Sequence, residues 1–227
     1  MSGTASPLLA VLRPLAAAIT AILAVARWAA IALLGIMVLV ILAQIVFRYV
    51  LGDALNWTEE AARFGMLWMT GLMAPLAYRR GGFVAIDMLE RALPPAAAAL
   101  LVLALALVSL GVLVYALPLA AAHVQSGCLF KSASLWLPFT LEFALPIWPE
   151  ALGGGLDLTL CTRESPAFGF APGWTKMPLA VMYASLYVGV QLLILVNLEM
   201  ILRTLVGLLG AAERLPFIPE TDAVSAE

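Results

Sequence analysis

Residues 28–47 read WAAIALLGIMVLVILAQIVF, a stretch of 20 residues without a charged side chain. At about 1.5 Å rise per residue, a helix of this length covers the ~30 Å of hydrocarbon in a bilayer. Three further uncharged stretches follow, of 15, 31 and 22 residues: 64–78, 92–122 and 177–198. Their apolar residues run continuously instead of alternating, which favours helices over the strands of a membrane barrel.

The composition supports the same class of protein. The chain has 227 residues, of which 64% are hydrophobic and 11% are charged, and its mean hydropathy is +1.05. An ordinary soluble domain has about 25% charged residues, so this composition excludes a soluble globule, and its hydrophobicity excludes a disordered chain. The net charge is −2 and no basic patch is present, so nothing indicates nucleic-acid binding.

These stretches predict an all-α membrane protein with four transmembrane helices, an N-terminal interfacial helix and a long periplasmic loop between helices 3 and 4. The predicted divisions are a cytoplasmic or interfacial segment over 1–27, a transmembrane domain over 28–202 with its loop at 123–176, and a cytoplasmic tail over 203–227. Arginines beside span ends place both termini in the cytoplasm: Arg27, Arg79 and Arg80.

The second uncharged stretch is too short to span a bilayer, so its helix must extend. A helix from Trp57 to Tyr78 would be about 33 Å long. Its first turns would then hold Glu59, Glu60 and Arg63 at the membrane edge, with spacings of three and four residues that bring these side chains together. We expect this cluster, within reach of Arg48, to fix helices or to dock a partner subunit; simple interfacial snorkelling is the alternative.

The N-terminal segment has three interpretations. Helical spacing of apolar residues favours an interfacial helix leading into the first span: Leu15, Ile19, Ile22, Leu23 and Ala26. The small residues of Ala24-Val25-Ala26 resemble a signal-peptidase site, which would make the segment a cleaved signal peptide. An additional span is the third interpretation.

Few residues can carry chemistry. His123 is the only histidine, and no metal, haem or nucleotide motif is present, so we predict no catalytic residue, metal or cofactor. Cys128 and Cys161 both fall in the outer loop, where they form a disulfide or remain free thiols. This loop is interrupted by prolines, which favours an interfacial cap or a docking surface for a soluble partner over a full span.

One combination of motifs resembles a known family. It comprises Phe47-Arg48-Tyr49, Trp57-Thr58-Glu59-Glu60, Ala62-Arg63, Trp68, Arg79-Arg80-Gly81-Gly82 and Asp87. The combination is similar to the small membrane subunit of tripartite ATP-independent periplasmic (TRAP) transporters, the DctQ type. The match is densest over residues 36–90, and the four-span plan is similar over most of the chain.

The resemblance implies a role in transport. Small subunits of this family scaffold a large permease subunit (DctM type), to which a periplasmic solute-binding protein (DctP type) delivers an organic acid, and an ion gradient drives uptake. The expected location is the bacterial inner membrane. The resemblance also implies helix-packing or subunit-interface roles for Arg48, Trp57, Glu59, Glu60, Arg63, Arg79, Arg80 and Asp87. The alternative function is a membrane anchor for a quinone-linked oxidoreductase, which would need paired haem ligands or a quinone pocket.

Overall fold

A computed structural model describes residues 5–80, 93–143, 168–210 and 216. The described elements are four long helices and one two-stranded sheet: α1 (Ala5–Val46), α2 (Trp57–Arg79), α3 (Pro95–Gly127), β1 (Lys131–Phe143), β2 (Phe168–Pro178) and α4 (Ala180–Leu208). A π-helical turn, Phe47–Leu51, continues α1 and ends at Gly52, whose φ of 73° is the left-handed conformation that glycine adopts easily. The predicted second helix, 57–78, matches α2 to within one residue.

Three of the described helices are long and apolar enough to cross a membrane: Leu8–Leu51, Ala97–Gly127 and Ala180–Leu208. Their surroundings differ. In the most apolar 18-residue window, 6% of α1 and 11% of α3 are buried, compared with 50% of α4. The remaining helix, α2, has 23 residues but carries charged side chains in its first turns, so its assignment as the fourth span stays a prediction.

The predicted interfacial helix is not a separate element. α1 is continuous from Ala5 to Val46, because no helix-breaking residue lies near the expected boundary at 27. Its buried residues recur at alternating spacings of three and four, as in helices that pack along a narrow seam: Leu9, Leu12, Ala16, Ile19, Leu23 and Ala26. Ile22, predicted for the same face, is 42% exposed.

Tertiary contacts divide the chain into two compact units. The first comprises Met1–Ala29, Leu72–Ala116 and Gly189–Glu227. Two apolar clusters form its described core. Leu23 of α1 packs with Leu76 of α2 and Val196 of α4 in one cluster, and Leu9 and Leu12 pack with Val206 in the other. The N-terminal part of α1 therefore packs beside the C-terminal part of α4.

The second unit comprises Ala30–Gly71 and Leu117–Val188 and contains the sheet. β1 and β2 pair antiparallel, from Lys131 opposite Pro178 to Phe143 opposite Phe168. The prediction of an all-α protein is therefore wrong for residues 131–143 and 168–178, which form strands. The prolines of this segment, which argued against a membrane span, are compatible with the sheet. Both strands of a two-stranded sheet are edge strands, where proline is tolerated, and Pro138 lies at a register shift.

Candidate functional site

A buried ionic cluster lies near the C-terminal end of α2. Arg79, with a fully buried side chain, donates from Nη2 to Oε1 of Glu199 in α4 at 2.8 Å. Arg203, one turn further along α4, donates to the same oxygen from Nε at 2.9 Å and from Nη2 at 2.7 Å. One carboxylate oxygen thus accepts from two guanidinium groups, which offsets part of the desolvation cost of burying these cations.

Two further polar groups contact this cluster, and another hydrogen bond lies beside it. In α1, the hydroxyl of Thr20 accepts from Nη1 of Arg79 at 2.9 Å. Arg203 reaches the chain beyond α4 and donates from Nη1 to the carbonyl oxygen of Pro216 at 2.7 Å. Beside the cluster, the amide of Asn197 donates to the hydroxyl of Tyr78 at 3.1 Å. The arrangement locks α1, α2 and α4 at one level of the first unit.

The contacts of this cluster differ in how far the sequence predicts them. Glu199 and Arg203, four residues apart on α4, form the ion pair that this spacing favours. Arg79, which its sequence position places beside a span end, has a fully buried side chain. Its partner Glu199 lies 120 positions away. One sequence signal could have suggested the pair: each residue is the first charge after an uncharged helical stretch.

A second polar site joins the start of α2 to β1. Oε1 of Glu60 accepts from the backbone N–H of Ala133 at 3.3 Å, and Oε2 accepts from the N–H of Ser134 at 3.0 Å and from its hydroxyl at 2.7 Å. The pairing of β1 with β2 is irregular between Lys131 and Trp136, so these N–H groups lie where the ladder is interrupted. Glu60 therefore satisfies backbone donors that the sheet leaves over.

The ion pairs predicted around Glu60 are not made. Within the described residues, neither Glu59 nor Glu60 pairs with Arg63, and the side chains of Glu59 and Arg63 are exposed. The physical reason is the unforeseen strand, which offers Glu60 three hydrogen-bond donors. Arg48 is exposed too, with its guanidinium 5.9 Å from the ring of Tyr49.

Three other residues of the predicted set have different surroundings. Trp57 is 41% exposed at the start of α2. Arg80, directly after α2, is partly buried. Asp87 lies outside the described residues.

The helices of the second unit also make close contacts with one another. The indole N–H of Trp68 in α2 donates to the carbonyl oxygen of Val181 in α4 at 3.0 Å. One turn along α2, a Cβ added at Gly71 would lie 2.5 Å from the carbonyl oxygen of Ser185. Gly127, at the end of α3, is similarly tight, since an added Cβ would lie 2.7 Å from the backbone nitrogen of Ala180. Only glycine permits these approaches.

The remaining candidate residues show no assembled metal site. Cys128 is disulfide-bonded; Cys161, its predicted partner, lies outside the described residues, so the pairing stays a prediction. The ring of His123 stacks on that of Tyr183, with centroids 4.0 Å apart. Across residues 5–80, 93–143 and 168–210, no three His, Cys, Asp or Glu side chains gather as metal ligands.

Comparison with known proteins identifies the family. No curated protein and no solved structure matches the chain. A family model does match, over residues 37–152, which is just over half of the sequence. It describes the DctQ component of tripartite ATP-independent periplasmic transporters. The matched range includes the whole of α2 with Glu60 and Arg79, and the whole of α3. The chain, a multi-pass membrane protein, therefore belongs to the DctQ family of small TRAP transporter subunits.

Proposed function

We propose that this chain is the non-catalytic scaffold of a TRAP transporter, which holds a large DctM-type permease subunit during ion-gradient-driven uptake of an organic acid. A periplasmic DctP-type protein would deliver the solute. Beyond family membership, the low burial of α1 and α3 carries the proposal. With 6% and 11% of their most apolar windows buried, these helices leave most of their apolar surface for lipid and for helices of a partner.

The proposed location is the bacterial inner membrane, with both termini in the cytoplasm. The arginines at the end of α2 favour the cytoplasmic side at that end. α2 runs from Trp57 to Arg79, so the sheet that Glu60 binds would face the periplasm. A disulfide between Cys128 and Cys161 fits that oxidising compartment. The transmembrane domain would comprise residues 28–202 together with the part of α1 directly before residue 28, because α1 is unbroken there. Residues 203–227 would form the cytoplasmic tail, into which α4 continues as far as Leu208.

We assign structural roles to the polar residues. The cluster of Arg79, Glu199 and Arg203 would fix α1, α2 and α4 relative to one another, so that the scaffold presents a rigid surface. Glu60 would hold the periplasmic sheet on α2. Members of the predicted set with exposed or partly buried side chains would contact lipid headgroups or the partner: Arg48, Trp57, Glu59, Arg63 and Arg80. Asp87 keeps its predicted interface role.

Co-purification tests the scaffold function. A tagged chain, expressed at its natural level and extracted in mild detergent, should bring down a large multi-span permease. Deletion of the chain should abolish uptake of the organic acid by intact cells, and re-expression should restore it. If the tagged chain purifies without a membrane partner and its deletion leaves organic-acid uptake unchanged, the proposal is wrong.

A further inference from the structure

Arg27 is an exposed cation in the middle of the longest helix. It lies 22 residues after the first residue of α1, and its side chain is exposed. Within the part of the chain that the structure describes, it forms no ion pair or hydrogen bond. Its sequence position suggested the edge of a span. The helices that pack against α1 give a second way to judge how deep Arg27 lies in the membrane.

The Arg79–Glu199 pair provides a reference level for that depth. Glu199 follows 22 uncharged residues of the last span, and Arg79 ends a helix of 23 residues, just long enough to cross a bilayer. Two helices therefore reach their first inner charge at the same level, where their side chains meet at 2.8 Å. We take this level as the inner edge of the hydrocarbon, because an uncharged stretch long enough for a span ends there on α4 and the 23-residue α2 also ends there. On α1 it corresponds to Thr20, whose hydroxyl contacts Arg79 at 2.9 Å.

Arg27 lies on the membrane side of this level. Leu23, between Thr20 and Arg27 on α1, packs with Leu76 of α2 and Val196 of α4, which both precede the charged residues on their helices. Seven residues separate Thr20 from Arg27, so Arg27 lies about 10 Å further into the hydrocarbon, which is roughly 15 Å deep at the midplane. An exposed guanidinium at that depth is costly in lipid, and such residues usually face protein partners.

We propose that Arg27 is an intramembrane contact with the large permease subunit, and that it pairs with an Asp or Glu carboxylate on one of that subunit's transmembrane helices. The proposal rests on the scaffold function proposed above and adds the residue and the chemistry of the contact. Charge complementarity selects the partner group: a guanidinium binds a carboxylate with two parallel hydrogen bonds, and the pair is stronger where water is excluded.

Arg13 provides a matched control on the same helix. It is also seven residues from Thr20, but in the opposite direction, and its side chain is exposed. It therefore lies about 10 Å outside the hydrocarbon edge. Fourteen residues are close to four helical turns, so both arginines project from nearly the same side of α1. They differ in depth and not in chemistry.

The test is co-purification of the large subunit with tagged Arg27→Leu, Arg27→Glu and Arg13→Leu chains. We expect both Arg27 variants to reduce the recovered partner at least tenfold, at about unchanged levels of the small subunit, because loss of one member of a desolvated pair leaves the other unpaired. Arg13→Leu should behave as wild type. An Asp or Glu to Arg change in one partner helix should rescue Arg27→Glu.

The outcomes distinguish failure of the Arg27 contact from failure of the scaffold function. If the wild-type chain recovers the partner and both Arg27 variants do so equally, the scaffold function stands and the Arg27 contact is refuted; Arg27 then binds a lipid phosphate. If wild type itself recovers no partner, the scaffold function fails together with this contact. A photoreactive residue at position 24, about 60° around the helix from Arg27, should cross-link to the partner more strongly than one at position 22, about 140° from Arg27. Equal cross-linking from the two positions would also refute the contact.

Discussion

Replacing Glu199 by glutamine should strongly destabilise the fold, because two buried guanidinium groups share one oxygen of this carboxylate. Oε1 lies 2.8 Å from Nη2 of Arg79 and 2.7 Å from Nη2 of Arg203. Glu199→Gln removes the negative charge and leaves both cations in place. Removing one partner of a buried ion pair costs about 3–5 kcal/mol. For a chain of this length that corresponds to a fall of roughly 10 °C in Tm.

Thermal unfolding in detergent micelles, followed by the emission of the six tryptophans, measures this loss. Glu59→Gln is the matched control, because Glu59 is exposed and forms no ion pair with a described residue. Its free energy of unfolding should stay within about 0.5 kcal/mol of wild type. The reasoning is refuted if Glu199→Gln lowers Tm by less than about 2 °C, or if the control is equally destabilised.

Three further predictions concern other contacts. Gly71→Ala should cost about 1–3 kcal/mol of unfolding free energy in the same assay, because its Cβ would lie 2.5 Å from a carbonyl oxygen; Gly111→Ala, whose Cβ meets nothing within 4 Å, should be neutral or slightly stabilising. Glu60→Gln should speed trypsin cleavage after Lys131 about tenfold, because charged hydrogen bonds to β1 are worth about 1.5–3 kcal/mol; cleavage at the wild-type rate would contradict this. Cys128 should resist alkylation until a reductant is added, and labelling before reduction would disprove the disulfide.

The helices were largely predictable from the sequence, because lipid imposes a simple condition on it. A membrane helix must satisfy its backbone internally and present about 20 apolar residues, and this condition finds α1, α3 and α4 directly. The start of α2 at Trp57 followed from the need to lengthen a short stretch. The continuous course of α1 did not follow, because an apolar helix can continue past a membrane edge when another helix packs against it, as Val206 does against Leu12.

The sheet and the partners of Glu60 were not predictable for a different reason. The residues around β1 are apolar with interspersed prolines, a pattern shared by interfacial loops and irregular edge strands. Glu60 and Arg63 have suitable spacing for an ion pair, but spacing on one helix gives no information about donors from elsewhere. Glu60 instead accepts hydrogen bonds from backbone N–H groups of an interrupted strand. A pattern of side chains in the sequence does not reveal such backbone donors.

Only part of the ionic cluster was predictable from the sequence. Glu199 and Arg203 are neighbours on one helix, so their pairing follows from helix geometry. Arg79 joins them only because α2 and α4 pack side by side, which residue spacing does not encode. The same packing supplies the reference level on which the proposed depth of Arg27 rests.

Reconstitution into proteoliposomes tests the scaffold function most directly. Solute uptake is measured with the loaded periplasmic binding protein and an imposed ion gradient, using vesicles that contain this chain alone, the large subunit alone, or both. The scaffold account predicts uptake from vesicles with both subunits and none from vesicles with this chain alone. Uptake by this chain alone, or undiminished uptake by the large subunit without it, would contradict the account.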